Sequence, residues 1–239
     1  MTVKNLVISF MFIITGSIAT VGIANEISPE ELERWFNSDT TDPPRYDVTS
    51  QVDASQVNEG ELVFLSKAPD KAPHYQHNEV TISPASLRDG WILVEQCHSN
   101  IDKVAAAQIV FAKNRVRNIK IISYKNIERA WVEGASVQFE NVKSNATLCI
   151  QANTHSLKHL ENGTYSLRNG PFMRRFLDGY FPMHVSFGLH YAQTNLELTS
   201  FTPARQKGFE VKLAEGQIKI DTLFEGRLFT EFHFKPKSL

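Results

Sequence analysis

The stretch Met183-His184-Val185-Ser186-Phe187-Gly188-Leu189-His190-Tyr191 alternates large apolar residues with small or polar ones along its whole length. A β-strand with one buried face needs this period of two, because successive side chains point to opposite sides of a sheet. The run therefore predicts a strand whose odd-numbered side chains enter a core.

Several shorter strands are predicted after this run. Segments rich in Val, Ile, Leu and Phe lie at 196–201, 209–213, 217–220 and 227–234. Two of the turns between them, 214–216 and 224–226, end in glycine, which adopts the backbone conformations that tight turns require. The C-terminal part is thus predicted to be a meander of antiparallel strands.

The chain before residue 156 also favours strands. Short apolar segments lie at 61–66, 79–82, 91–97, 108–112, 118–124, 135–139 and 147–151, at the spacing of a sandwich or barrel. Residues 91–94, Trp-Ile-Leu-Val, are apolar on both faces, which is typical of a central strand. We expect an all-β, antiparallel β-sandwich domain over residues 59–239. The alternative is two packed β lobes, one before Ser156 and one after Pro182.

A short connector helix is predicted between the two β regions. Proline is common at the first helical position and glycine at the end of a helix, so Pro171 and Gly179 would bound about two turns. In that helix Arg174 and Arg175 would face outward.

The same region supplies the candidate binding residues. Arginine offers paired donors to carboxylates and other anions, and aromatic residues, Met and Arg are enriched in interface cores. The residues predicted to bind a ligand or partner are Arg174, Arg175, Asp178, Tyr180 and His184. The structural alternative is a connector in which Asp178 pairs with an arginine and the aromatic side chains close one end of the sandwich.

Cys97 and Cys149 are the two cysteines of the chain. In an exported protein they are expected to form a disulfide bond that ties two strands across a core. The chain-entropy model gives such a crosslink roughly 4 kcal/mol. The alternative is a metal site at Cys97-His98, although the close cysteine spacing of metal motifs is absent.

Residues 1–24 have the pattern of a signal peptide. Lys4 precedes an apolar run at 6–18, and Gly22-Ile23-Ala24 has the small residues of a cleavage site before Asn25. The alternative is an uncleaved membrane anchor. No second segment is as long and apolar, so we expect no membrane span after cleavage and a periplasmic or secreted protein.

Residues 25–58 are predicted to form a short helix and a polar linker. Ser28 would cap a helix over 28–36, with Leu32, Trp35 and Phe36 on one face. Residues 37–58 are rich in Asp, Ser, Thr and Pro and contain too few apolar residues to pack alone.

The charge balance argues against nucleic-acid binding. The chain has 25 Lys and Arg, 26 Asp and Glu, and a formal net charge of −1. A nucleic-acid binder concentrates positive charge on one surface, whereas the basic residues here are scattered along the chain.

Eight histidines raise the hypothesis of a copper or zinc protein. The nearest approach to a motif is His74 and His77, which would lie on opposite faces of a strand, and His184 and His190 would be about 20 Å apart on one strand. We therefore expect no cofactor. Hydrolase motifs such as Gly-x-Ser-x-Gly and His-Glu-x-x-His are also absent.

These observations favour an exported, non-catalytic β-sandwich that binds a partner protein or an envelope component through residues 170–184. A copper- or zinc-binding periplasmic protein is one alternative. A hydrolase acting on an envelope polymer is the other.

Overall fold

The computed structural model describes residue 58, residues 60–176 and residues 179–237. The predicted signal peptide, the predicted helix over 28–36 and nearly all of the predicted linker lie outside these residues. Within them the predicted all-β fold is confirmed. The strands are β1 Val63–Phe64, β2 His74–Thr81, β3 Trp91–Ile101, β4 Ala106–Val110, β5 Val116–Lys125, β6 Arg129–Glu133, β7 Ser136–Glu140, β8 Ala146–His155, β9 Leu157–His159, β10 Tyr165–Phe172, β11 Arg174–Phe176, β12 Gly179–Phe181, β13 Met183–His190, β14 Leu196–Thr202, β15 Phe209–Ala214, β16 Gln217–Glu225 and β17 Leu228–Pro236.

One large sheet, called here the long sheet, forms the centre of the fold. Its strands run in the order β1, β16, β13, β2, β3, β8 and β5, and β15 also pairs with β16. The alternating run at 183–190 is β13, with Met183, Val185, Phe187 and Leu189 buried as predicted. β13 pairs with β2 in parallel, and every other pairing in the described part of the chain is antiparallel.

Two smaller sheets lie over one face of the long sheet. One is four-stranded in the order β14, β17, β10 and β9, and the other is three-stranded in the order β4, β7 and β6. Helical structure in the described residues amounts to α1, Ser86–Asp89, and one 3-10 turn, Lys113–Arg115. No helix in that part of the chain is long and apolar enough to cross a bilayer.

Each smaller sheet encloses its own apolar core with the long sheet. In the first core Phe187 of β13 stacks on Phe232 of β17, with ring centroids 5.6 Å apart. The second core packs β8 of the long sheet against the three-stranded sheet, and Leu148 and Phe139 are both almost fully buried there. Burying one such side chain stabilises the fold by about 1.5–3 kcal/mol.

The predicted connector helix is wrong. β10 continues to Phe172, and β11 and β12 form a hairpin in its place. Pro171 lies at an irregularity of the ladder between β10 and β17, where a missing backbone N–H removes no regular ladder bond. Proline and glycine mark bulges and hairpins as well as helix ends, and nothing in the sequence pattern separates these uses.

The predicted disulfide between Cys97 and Cys149 is confirmed, but its expected position is not. The two cysteines lie directly opposite each other on β3 and β8, with Cα atoms 4.0 Å apart. They belong to neighbouring strands of the long sheet and lie on its outer face, away from both cores. The bond therefore ties two paired strands together and does not cross a core.

Candidate functional site

A row of buried polar side chains separates the two apolar cores on the inner face of the long sheet. We call it the polar seam, and it consists of His74, Gln76 and Asn78 on β2 with Gln96 and His98 on β3. All five side chains are at most 2% exposed. The strand register places Gln76 opposite His98 and Asn78 opposite Gln96. Buried polar groups are costly unless they are hydrogen-bonded, so their partners decide what the seam can do.

Two amide groups of the seam donate hydrogen bonds to the amide oxygen of a third. Gln76 Nε2 and Gln96 Nε2 donate to Asn78 Oδ1 at 2.8 and 3.1 Å. Gln76 Oε1, Asn78 Nδ2 and Gln96 Oε1 are buried and have no partner among the described residues. Rotating all three amides by 180° exchanges donors for acceptors but still leaves one polar atom of each without a partner. Each such atom costs about 1–3 kcal/mol when it is buried dry.

The two histidines of the seam are hydrogen-bonded to each other. His74 Nε2 lies 2.9 Å from His98 Nδ1. Burial lowers the pKa of His98 to about 3. Burial also holds the pKa of His74 well below its ordinary value, with smaller contributions from the charges of His98 and Arg174. Both rings are therefore neutral near pH 7, so that one nitrogen of the pair donates and the other accepts.

A cavity of about 170 Å³ opens over the amide part of the seam. Asn78 and Gln96 contribute to its lining from the long sheet, and Asn169 of β10 adds a third amide whose Nδ2 is buried without a partner in the described part. The other lining residues are Val80, Val94, Phe111, Ala112, Arg115, Thr154, Ser156, Lys158, Arg168, Gly170, Phe172, Phe187 and Phe229. Within the part of the chain that the structure describes, basic residues thus line the cavity and acidic residues do not.

The cavity exists because the two smaller sheets do not meet. On one side the lining comes from β9, β10 and β17, and on the other from the segment between β4 and β5, which contains the 3-10 turn Lys113–Arg115. Gly170 helps to shape the wall, because its φ of +103° belongs to the region that favours glycine and a Cβ there would meet Leu228 O at 2.5 Å. Asn78 and Gln96 lie at the buried end of the resulting gap.

A second polar network lies on the outer face of the long sheet. The Glu79 carboxylate accepts a hydrogen bond from His190 Nε2 at 2.5 Å and lies 3.0 Å from His77 Nε2. A Cβ at position 188 would collide with the Glu79 carboxylate, so Gly188 provides the space in which that carboxylate lies. The network therefore holds β2 against β13.

The outer network also brings a serine to a histidine. The Ser186 hydroxyl lies 3.2 Å from His77 Nδ1, and His77 Nε2 contacts Glu79, which is the order of a nucleophile, a base and an acid. However, Ser186 is on a strand paired on both sides, and Asp221 lies opposite it. Ladder hydrogen bonds engage the nearby backbone N–H groups, and the carboxylate opposes an oxyanion. The arrangement is poorly suited to acyl transfer.

Of the five predicted binding residues, the four that the structure describes do not line the cavity over the polar seam. Arg174 forms a bidentate ion pair with Asp102, at 3.0–3.1 Å, and its side chain is 15% exposed. Arg174 therefore does not face outward as predicted. Arg175 lies over the ring of Tyr180, whose buried hydroxyl has no partner in the described residues.

His184 lies on β13, apart from this hairpin. His184 Nε2 lies 2.9 Å from Asp221 Oδ1 on the outer face of the long sheet. Asp178 is outside the described residues. The prediction that these five residues bind a ligand together is not tested by their placement, but the structure gives Arg174 a structural contact.

The sequence signal for the polar seam was weak. Residues 74–79, His-Tyr-Gln-His-Asn-Glu, are polar on both faces of β2, so the segment shows no amphipathic alternation. The amides that line the cavity come from β2, β3 and β10 and meet only in the folded chain. Polar residues at alternate positions beside an apolar strand would have been the one available clue.

Metal ligands do not cluster in the part of the chain that the structure describes. No group of three or more His, Cys, Asp or Glu residues is placed there to hold an ion. His74 faces the interior and His77 the outer surface, as expected for residues three apart on a strand. Comparison with known proteins adds no assignment, because no family model and no curated protein sequence matches the chain.

Proposed function

We propose that this protein is an exported, non-catalytic binding protein that holds a small ligand in the cavity over the polar seam. The observation that carries the proposal is that Asn78, Gln96 and Asn169, which line one open cavity, each have a buried amide atom without a partner among the described residues. A ligand that supplies the missing donors and acceptors recovers the hydrogen-bond energy that the folded chain lacks.

The chemistry of the lining favours binding over catalysis. Among the described residues it contains no His, Cys, Asp or Glu that could act as a general acid or base. Its serine, Ser156, donates its hydroxyl hydrogen to Thr154 Oγ1 at 3.0 Å. The apolar wall and the few polar atoms at the buried end are typical of a site that orients a ligand without reacting with it.

Export of the protein is part of this proposal. The disulfide between Cys97 and Cys149 fits an oxidising compartment, and the predicted signal peptide over 1–24 would deliver the chain there. The partner surface over 170–184 and the copper or zinc site stay predictions. Neither has gained support, since Arg174 is paired with Asp102 and the described residues hold no ready group of metal ligands.

The test separates binding from folding with one substitution. Gln96→Met removes an amide with a partnerless oxygen and keeps the volume of the side chain, so we expect the free protein to become more stable by about 1 kcal/mol or to be unchanged. Ligand binding, found in a thermal-shift screen of small polar metabolites and envelope fragments, should be lost in the same variant.

A matched control is Gln108→Met. Gln108 is also buried and also has a partnerless nitrogen in the described part, but it lies on β4 and does not line the cavity. This variant should keep ligand binding. A ligand whose affinity is equal in wild type, Gln96→Met and Gln108→Met would show that the cavity is not the binding site.

A further inference from the structure

We propose that the ligand is a small ring-bearing carboxylic acid with a hydroxyl group at the end remote from the carboxylate. This inference rests on the proposed function and adds the chemical class of the ligand. Three parts of the cavity define the ligand: the basic residues, the apolar wall and the amide end.

The basic residues define the charge of the ligand. Arg115, Lys158 and Arg168 line the cavity, and no acidic residue of the described chain does. Lys158 has no ion pair within the described chain, and the one hydrogen bond found there for the Arg115 side chain uses Nε, which donates to His155 O at 3.2 Å. The terminal nitrogens of Arg115 are thereby left for a planar anion, and a guanidinium matches a carboxylate with two parallel donors.

The apolar wall defines the body of the ligand. Phe172 and Phe187 are almost fully buried, and Phe111, Val80 and Val94 line the same cavity. Aromatic and branched side chains offer contact area but few hydrogen bonds, so a hydrocarbon ring fits them better than a polyhydroxylated sugar. The volume agrees, because a cavity of about 170 Å³ is close to the roughly 150 Å³ that accommodates benzene.

The amide end defines the second polar group. Asn78 Nδ2 is a donor and Gln96 Oε1 an acceptor, and both are buried without a partner in the described residues. A hydroxyl group can accept from one and donate to the other, whereas a carboxylate can only accept. The carboxylate therefore belongs at the open end beside Arg115 and Lys158, and the hydroxyl at the buried end.

The test uses four probes of nearly one shape, with binding measured by calorimetry. They are 4-hydroxybenzoate, 4-hydroxybenzamide without the charge, benzoate without the hydroxyl, and phenol without the acid. We expect 4-hydroxybenzoate to bind at least tenfold more tightly than each of the other three, and its affinity to fall as salt concentration rises.

Two variants locate the charge. Lys158→Met should weaken 4-hydroxybenzoate severalfold and leave 4-hydroxybenzamide unchanged. Lys219→Met is the matched control, because Lys219 is an exposed lysine on the outer face of β16 and should not alter either affinity. Equal affinity for the acid and its amide, or no effect of Lys158→Met, would overturn the inference.

The failure of this inference can be told apart from the failure of the proposed function. If none of the four probes binds but another ligand does and loses its affinity in Gln96→Met, the ligand class is wrong and the binding site stands. If every ligand found keeps its affinity in Gln96→Met, both are wrong.

Discussion

His74 Nε2 and His98 Nδ1 lie 2.9 Å apart in the interior, where neither ring is more than 2% exposed. The folded protein keeps both rings neutral, since burial lowers the pKa of His98 to about 3 and moves the pKa of His74 in the same direction. In the unfolded chain each of the two histidines binds a proton near the ordinary histidine pKa of about 6.5. The unfolded state thus binds more protons at every pH between these limits.

The first prediction is therefore a loss of stability on acidification that starts below about pH 6.5. The stability contributed by one histidine is complete above that pH and declines as the pH falls toward 3, by on the order of 3 kcal/mol at pH 4. Urea unfolding at pH 7, 5 and 4 measures it. His98→Gln keeps a hydrogen-bonding partner for His74 but does not titrate, and it should flatten the pH dependence.

The control for this measurement is Gln108→Met, because Gln108 is buried but carries no titratable group. It should leave the pH dependence of stability close to that of wild type. Identical pH dependence in His98→Gln and wild type would show that the buried pair does not titrate as argued.

The second prediction concerns the ion pair between Arg174 and Asp102. Both side chains are about 15% exposed and the contact is bidentate, so removing one partner leaves a poorly solvated charge. Arg174→Met should lower the free energy of unfolding by about 3 kcal/mol. Arg175→Met should cost less than about 1 kcal/mol, because the contact found for Arg175 among the described residues is with the ring of Tyr180. Equal losses in the two variants would contradict this assignment.

The third prediction is a coupling between Gly188 and Glu79. Gly188→Ala places a methyl group where the Glu79 carboxylate lies, and should destabilise the protein by displacing that carboxylate from His77 and His190. In a Glu79→Ala background the methyl group meets no carboxylate. A double-mutant cycle should therefore show Gly188→Ala to be less costly there, by about 1 kcal/mol or more. Additive losses would mean that the carboxylate is not the obstacle.

The fourth prediction follows from the proposed export. Protein isolated from its native cell should begin at Asn25, and without reductant neither cysteine should react with an alkylating reagent. Reduction should lower the free energy of unfolding by about 2–4 kcal/mol, because the bond closes a long loop in the unfolded chain. An intact Met1 together with two alkylated thiols would contradict both the signal peptide and the compartment.

Much of the fold could be predicted from the sequence because β13 and the strands after it bury one face. The alternation of Phe187 with Ser186 and Gly188, and the turn glycines Gly216 and Gly226, mark strands directly. The hairpin β11–β12 was missed because Pro171 and Gly179 serve a bulge and a hairpin as readily as a helix.

The candidate site could not be predicted in the same way. Asn78, Gln96 and Asn169 belong to three strands, and each is an ordinary polar residue in its own segment. Their importance arises from the gap between two sheets, which depends on how the whole chain packs. The disulfide pairing was predictable from cysteine count, but its place within one sheet depended on the register of β3 and β8.

The parallel pairing of β2 with β13 has a consequence for how the molecule is made. Ser186 contacts His77 although 109 positions separate them in the chain. The ladder between β2 and β13 can therefore form only after β13 has been synthesised, long after β2. Contacts this distant slow folding. A fragment of residues 60–156 expressed alone would lack β13, so one edge of β2 would expose unpaired backbone N–H and C=O groups. We expect such a fragment to aggregate and not to fold on its own.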